Sequence, residues 1–192
     1  MSSQDREVYP VTVAGLKRNL PLFEVAPGVR IAIINILGDT ELVRAVAAAL
    51  APKIMARQPE VLVTAEAKSI PMIYALAVET GLPYVVLRKS YKPYMGDALE
   101  AHTVSITTGA PQKLFLDEKD HELLRGKRVA LVDDVISTGS TLQGMRVLMD
   151  KVQAQVVAQA AIFTEGDRAK WTDIIALGHL PVFIDEGAGR PD

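Results

Sequence analysis

The 192-residue chain contains no cysteine. Disulfides, thiol nucleophiles and thiolate metal sites are therefore all excluded. It also lacks a charge imbalance, with 21 Lys and Arg against 23 Asp and Glu and a pI near 5.9. A nucleic-acid partner would call for a basic surface, so none is expected. No apolar run approaches the length of a membrane span, and the polar start Met-Ser-Ser-Gln-Asp-Arg-Glu has no signal-like core. A soluble cytoplasmic protein without membrane partners is the expectation. Internal repeats, low-complexity tracts and a linker between two large domains are missing as well. The three histidines, His102, His121 and His179, show no metal-ligand spacing and read as surface or loop residues.

What is present is a core and a pattern. Apolar residues make up 49% of the chain, and its length suits one α/β domain with a small appendage. The most informative stretch is residues 129–141. Val129 to Val132 form an apolar run that reads as a strand buried on both faces, as in a parallel sheet. Asp133 and Asp134 follow, then Val135 and Ile136, then Ser137-Thr138-Gly139-Ser140-Thr141. Leu142, Met145, Leu148, Met149 and Val152 recur at helical spacing. Chemistry is thus gathered at the carboxyl end of a strand, where open α/β sheets bind ligands.

Residue types in that stretch point to a substrate class. The small residues of 137–141 let backbone N–H groups converge on an anion where the next helix starts. Gly139 permits backbone angles that a side chain forbids, and the four hydroxyls can donate to a phosphate. Asp133 and Asp134 would repel the same phosphate; their natural partners are neutral hydroxyls, a metal or a developing cation. A phosphate beside a diol is a sugar phosphate. A solvated acidic pair before an ordinary helix N-terminus is the plainer alternative.

The rest of the chain supplies an α/β alternation. An extended apolar run over 29–37 ends at Gly38, and Asp39 is placed to cap a helix over 40–55. A strand over 61–64, a helix over 70–80 stopped by Gly81, and a strand over 84–87 form a parallel crossover. Residues 90–103 read as a long mobile loop, 103–107 and 113–116 as strands around a turn at 109–111, and 117–125 as a short acidic helix. A further strand is expected over 156–163. Residues 1–8 read as a loose arm, 9–26 as short β-prone pieces, and the Gly-Ala-Gly end as frayed.

The stretch 129–141 resembles the phosphoribosyl-pyrophosphate signature of the type I phosphoribosyltransferases: apolar run, two acids, two apolar residues, then a small residue and Thr-Gly-x-Thr. The resemblance implies an α/β fold, a parallel sheet flanked by helices, with a small hood built from about 1–37 and 165–192 around a single domain spanning 1–192. It implies that Asp133 and Asp134 hold the ribose hydroxyls and serve catalysis, while Ser137, Thr138, Gly139, Ser140 and Thr141 wrap the 5′-phosphate. It also implies a pyrophosphate loop at Glu66, Ala67 and Lys68, in which the family often has a cis peptide. Arg88, Lys89 and Lys92 resemble the segment that opens the lid of adenine phosphoribosyltransferases, and as a cationic cluster at a strand end they are expected to bind the pyrophosphate. The expected cofactor is Mg2+, held by substrate and water with no direct protein ligand; a homodimer is expected from the family.

The base is less clearly marked. Adenine enzymes carry Phe-Arg-Asp where this chain has Ile31-Ala32-Ile33, and a Glu that maps to Thr107. Xanthine phosphoribosyltransferases have an Asn that matches Asn35 and a Ser-x-Thr pattern that matches Ser105-Ile106-Thr107. Asn35 is the candidate base-binding residue, although an Asn ending a strand also suits a turn. The reading is purine salvage by an adenine-phosphoribosyltransferase-like enzyme. The alternatives are xanthine or another 6-oxopurine as the base, and a non-catalytic regulatory protein that binds phosphoribosyl pyrophosphate or a nucleotide. Paired acids also occur in phospho-acceptor receiver domains, but there the pair normally lies in the first strand. Trp171, the single tryptophan, reads as a packing residue rather than a base-stacking platform.

Overall fold

The structure, a computed structural model, describes residues 7–104 and 111–185. Eleven strands and four helices follow in the order β1 (Val8–Val13), β2 (Leu16–Ala26), β3 (Val29–Ala32), α1 (Thr40–Met55), β4 (Val61–Ala65), α2 (Ile70–Thr80), β5 (Tyr84–Leu87), β6 (Leu99–Val104), β7 (Pro111–Leu116), α3 (His121–Leu124), β8 (Arg128–Ile136), α4 (Ser140–Val152), β9 (Gln155–Glu165), β10 (Ile175–Leu180) and β11 (Val182–Ile184). Among these residues no helix is long and apolar enough to cross a membrane.

The central sheet has five strands in the order β10-β9-β8-β4-β5, every neighbouring pair parallel. Alternation along its inner strands divides the core into two layers. Leu62, Ala130 and Val132 face one side, with α1, α2 and the buried residues of β1 to β3. Val61, Val63, Val129 and Leu131 face the other, with α4 and the antiparallel hairpin β6–β7. Both faces are covered, which is why these strands read as continuous apolar runs. A second, antiparallel sheet, β1-β2-β3-β11, joins the two ends of the described chain. Arg18 ties that sheet to α1: its Nε donates to Asp39 Oδ2 at 2.7 Å and its Nη2 to Glu41 at 2.8 Å.

Local signals formed the helices where expected. Asp39 caps α1 by accepting the Leu42 N–H at 3.0 Å, and α2 ends on Gly81 at φ 72°. The segment 90–103 departs from expectation. It is not one long loop: a 3-10 turn over Pro93–Met95 buries Met95 completely, and β6 already begins at Leu99. An apolar anchor and a strand pairing occupy what polarity and two tyrosines had suggested was unstructured. The extended run after Gly28 is a strand only to Ala32. His179 is a correction too, since it lies in β10, half-buried, with Nδ1 2.9 Å from the Thr164 hydroxyl and Nε2 3.0 Å from the Gly166 carbonyl. The expected strand over 103–107, its turn at 109–111, the loose arm over 1–8 and the Gly-Ala-Gly end lie largely or wholly outside the described residues.

No strand pattern in the sequence marks β10, and close packing explains its fit. Gly178 pairs with Phe163 of β9, and a Cβ on Gly178 would stand 2.6 Å from the Phe163 ring. Phe163 is itself buried in the core, so the ring has little room to yield. Gly178→Ala is therefore expected to cost about 1–3 kcal/mol. In a thermal melt this lowers Tm by roughly 2–4 °C per kcal/mol. An unchanged Tm would contradict the packing.

Candidate functional site

Chain order and spatial order part company between β4 and β8. From β4 the chain proceeds outward to β5, whereas from β8 it proceeds outward the other way through β9 to β10. A crevice opens at such a reversal, at the carboxyl ends of the strands. The loop after β4, the end of β5 and the end of β8 all lie on that edge. Ser69, in the loop after β4, bridges the crevice. Its Oγ donates to Asp133 Oδ1 at 2.9 Å and accepts the Asp134 N–H at 3.0 Å. The same Asp133 oxygen also accepts the Asp134 N–H at 2.9 Å.

These bonds hold a costly arrangement. Burial disfavours the charged form of Asp133, and the neighbouring Asp134 carboxylate adds repulsion. Together they push the Asp133 carboxyl up to about 7, against an ordinary value of 3.8, with the Ser69 hydroxyl opposing the rise. A neutral diol or a cation at this strand end would relieve the strain between the acids. The carboxylate oxygens of Asp133 and Asp134 are hard ligands suited to magnesium, but no group of three or more His, Cys, Asp or Glu gathers among the described residues. A magnesium ion here would need oxygens from a substrate and from water.

Beyond the acids, residues 137–141 turn into α4. Gly139 occupies the N-cap position at φ 79°, ψ 2°, and no side-chain hydrogen bond caps the helix. The Ser140 N–H makes only a long 3.4 Å contact to Thr138 Oγ1, and the N–H groups that follow it in the first turn are left for an anion. Thr138 Oγ1 and Ser140 Oγ lie 3.1 Å apart, while Ser137 is exposed at the mouth. Asp133 and residues 135–142, including Thr141, line a small cavity at this point.

The other expected residues divide into two groups. Ala67 and Lys68 are exposed in the loop after β4, and the peptide between Glu66 and Ala67 is cis, within the predicted span. Glu66 has a different occupation: its Oε2 accepts from Arg88 Nε at 2.6 Å and its Oε1 from the Lys89 N–H at 2.7 Å. Glu66 therefore fastens the end of β5 to the loop after β4, and Arg88 reaches on toward the Tyr94 hydroxyl at 3.3 Å. Lys89 and Lys92 are exposed. Asn35 lies in the connection from β3 to α1, where its Oδ1 accepts the Leu37 N–H at 3.2 Å. That turn leaves the amide NH2 as its available face. Ser105, Ile106 and Thr107 lie outside the described residues. Sequence reasoning missed Ser69 and Tyr94 as partners. Ser69 meets its acids across 64 and 65 positions of chain, and no local pattern encodes that pairing.

Comparison with known proteins places this geometry among others. A model described as "Phosphoribosyl transferase domain" matches residues 34–178. The xanthine phosphoribosyltransferase of Chloroflexus aurantiacus is 31% identical over 160 residues, covering 80% of this chain and 74% of the relative. The purine biosynthesis transcriptional repressor PurR of Bacillus subtilis is 29% identical over 132 residues, covering 69% of this chain and 46% of the relative. The chain thus spans about half the length of the purine regulators it matches. Among solved structures, the adenine phosphoribosyltransferase of Trypanosoma brucei in complex with AMP, pyrophosphate and ribose-5-phosphate superposes with a TM-score of 0.65 at 20% identity, covering 90% of this chain and 76% of that one. At that identity the likeness establishes the fold.

The raised Asp133 carboxyl makes a stability prediction. Folding binds its proton more tightly than the unfolded chain does, so this group subtracts stability as pH rises from about 4 to about 7. Asp133→Asn keeps an acceptor for Ser69 and removes the charge. The variant is expected to be more stable than wild type at pH 8, by on the order of 2 kcal/mol, with the gap closing toward pH 4. Chemical denaturation of the ligand-free protein at both pH values measures it, and a pH-independent gap would refute the account.

Proposed function

The chain belongs to the phosphoribosyl transferase domain family, and from that membership we propose that it transfers the ribose 5-phosphate unit of phosphoribosyl pyrophosphate to a purine nitrogen, releasing pyrophosphate in purine salvage. The observation that carries the reading is the meeting, at one strand end, of the acid pair with the uncapped start of α4. Asp133 and Asp134 hold the ribose hydroxyls and favour the positive charge that develops on the ring carbon as pyrophosphate departs. Residues 137–141 hold the 5′-phosphate. Lys68, Lys89 and Lys92, with Arg88 braced by Glu66, surround the leaving group with positive charge, and Ala67 leaves its backbone open to it. Bound magnesium supplies charge neutralisation on the pyrophosphate, through contacts completed by substrate and water.

For the base, Asn35 favours a 6-oxopurine. Its carbonyl is occupied by the Leu37 N–H, and its amide donors suit an oxygen acceptor better than the amino group of adenine. The 31% identity to a xanthine enzyme supports the same choice. The second sheet, with contributions from both ends of the chain, acts as the hood over the base. The protein works in the cytoplasm as a homodimer.

A second reading has its own support, since 69% of the chain aligns with a transcriptional repressor. In that reading the site senses phosphoribosyl pyrophosphate without turning it over. Assaying adenine, hypoxanthine, guanine and xanthine with phosphoribosyl pyrophosphate and magnesium decides between the two. Pyrophosphate release is expected with a 6-oxopurine; saturable binding of the sugar without release for any base would support the sensor. Replacing both Asp133 and Asp134 by Asn is expected to reduce transfer at least about 100-fold, with the fold retained by circular dichroism. Retained activity would remove these residues from the mechanism.

A further inference from the structure

The start of α4 poses a problem of order. Its N-cap is a glycine in the left-handed region, which has no side chain to cap the first turn. Glycine resists being fixed, because it gives up more conformational freedom than any other residue. The internal polar contacts of the loop are weak: Thr138 Oγ1 and Ser140 Oγ lie 3.1 Å apart, and the Ser140 N–H approaches Thr138 Oγ1 only at 3.4 Å. Something outside the loop has to hold it in a conformation ready for an anion.

That contact comes from the turn after β9, the strand paired beside β8. After β9, Asp167 accepts the Ala169 N–H at 3.0 Å and sets a 3-10 turn that ends on Trp171. The indole N–H donates to the Glu165 carbonyl at 3.0 Å, which fixes the ring. Its body packs against the core cluster that contains Ile136 and Leu142, the residues flanking the loop. The leading edge of the ring then meets Gly139. A Cβ built on Gly139 would lie 2.8 Å from Trp171 Cη2 and 3.4 Å from Cζ3. The indole thus occupies the space where a side chain at 139 would project, and it backs the left-handed residue directly.

We propose that Trp171 is a positioning residue for the anion loop, holding Gly139 in place so that residues 137–141 bind the 5′-phosphate of the sugar substrate without first paying to become ordered. This rests on the phosphate reading of the loop given above. Trp171 touches no reacting atom; it acts through Gly139. Loss of the buttress weakens binding in ground state and transition state alike, because the 5′-phosphate is remote from the bond that breaks. Uniform loss of binding raises KM and leaves kcat alone.

The chain has one tryptophan, so its emission reports this contact without interference. Wild-type protein is titrated with ribose 5-phosphate and with inorganic phosphate, following Trp171 fluorescence and, separately, heat of binding. Emission is expected to change in parallel with the calorimetric saturation. Trp171→Ala is expected to raise KM for phosphoribosyl pyrophosphate about tenfold or more while kcat and KM for the base stay within about threefold, and Trp171→Phe, which restores a ring, to recover most of the loss. Calorimetric binding with no change in emission would overturn the proposal. So would a Trp171→Ala variant that loses thermal stability but shows no selective rise in that KM. If Trp171→Ala does not fold, the wild-type titration and the Phe variant decide. Absence of calorimetric binding of both anions to wild type would overturn the phosphate reading of the loop, and the proposal with it.

Discussion

Two carboxylates on consecutive residues at the end of a buried strand repel each other, and the cleft between β4 and β8 is arranged around that fact. β8 carries Asp133 and Asp134 to the switch point of the sheet, and Ser69 reaches from the neighbouring loop to bond both, the first at its carboxylate and the second at its backbone N–H. The serine does not cancel the repulsion, as the raised Asp133 carboxyl makes plain. It fixes where the charge stands. An active site that is to stabilise a transient cation needs anions held in place before the cation exists, and such anions weigh against the ligand-free fold.

The cations across the crevice pose the reverse problem, met with the same economy. Arg88 would be a loose cation at the end of β5 without Glu66, whose two oxygens take the Arg88 Nε and the Lys89 N–H. The pairing joins the loop after β4 to the end of β5, so one acid and one base brace two adjacent loops. Beyond Lys92 the segment is anchored from below by Met95 and from the side by Glu118, which accepts the Asp97 N–H at 2.8 Å. Exposed cations are thereby carried on a segment whose two ends are fixed.

How much of this was legible in the sequence depended on how far apart the cooperating residues stand. Asp39 and Leu42 are three apart, so the start of α1 could be read directly; Gly81 ended α2 for an equally local reason. The signature over 129–141 was legible because strand, acids and loop are contiguous. Met95, by contrast, lies in a polar stretch whose composition suggested a loop, and only its burial under tertiary neighbours makes it an anchor. β10 hides behind a glycine and a histidine, and it is a strand because Gly178 accepts the ring of Phe163 fifteen residues earlier. Ser69 stands 64 positions from Asp133, with no local pattern to join them. Its role exists only once β4 and β8 are side by side.

The same distinction separates the parts of the site that bind from the parts that hold. Residues meant for a ligand must be left without strong internal partners, so they gather in short runs of small polar residues that a sequence displays openly. Residues that hold them come from elsewhere in the chain: Ser69 under the acids, Glu66 under Arg88, and the Trp171 ring against Gly139. Each support is one side chain from a neighbouring loop or turn, with ordinary local credentials. A ligand that spans acids, anion loop and cations therefore meets three strand ends already placed by the sheet and pinned to one another. Little of its binding free energy then goes into assembling the cleft.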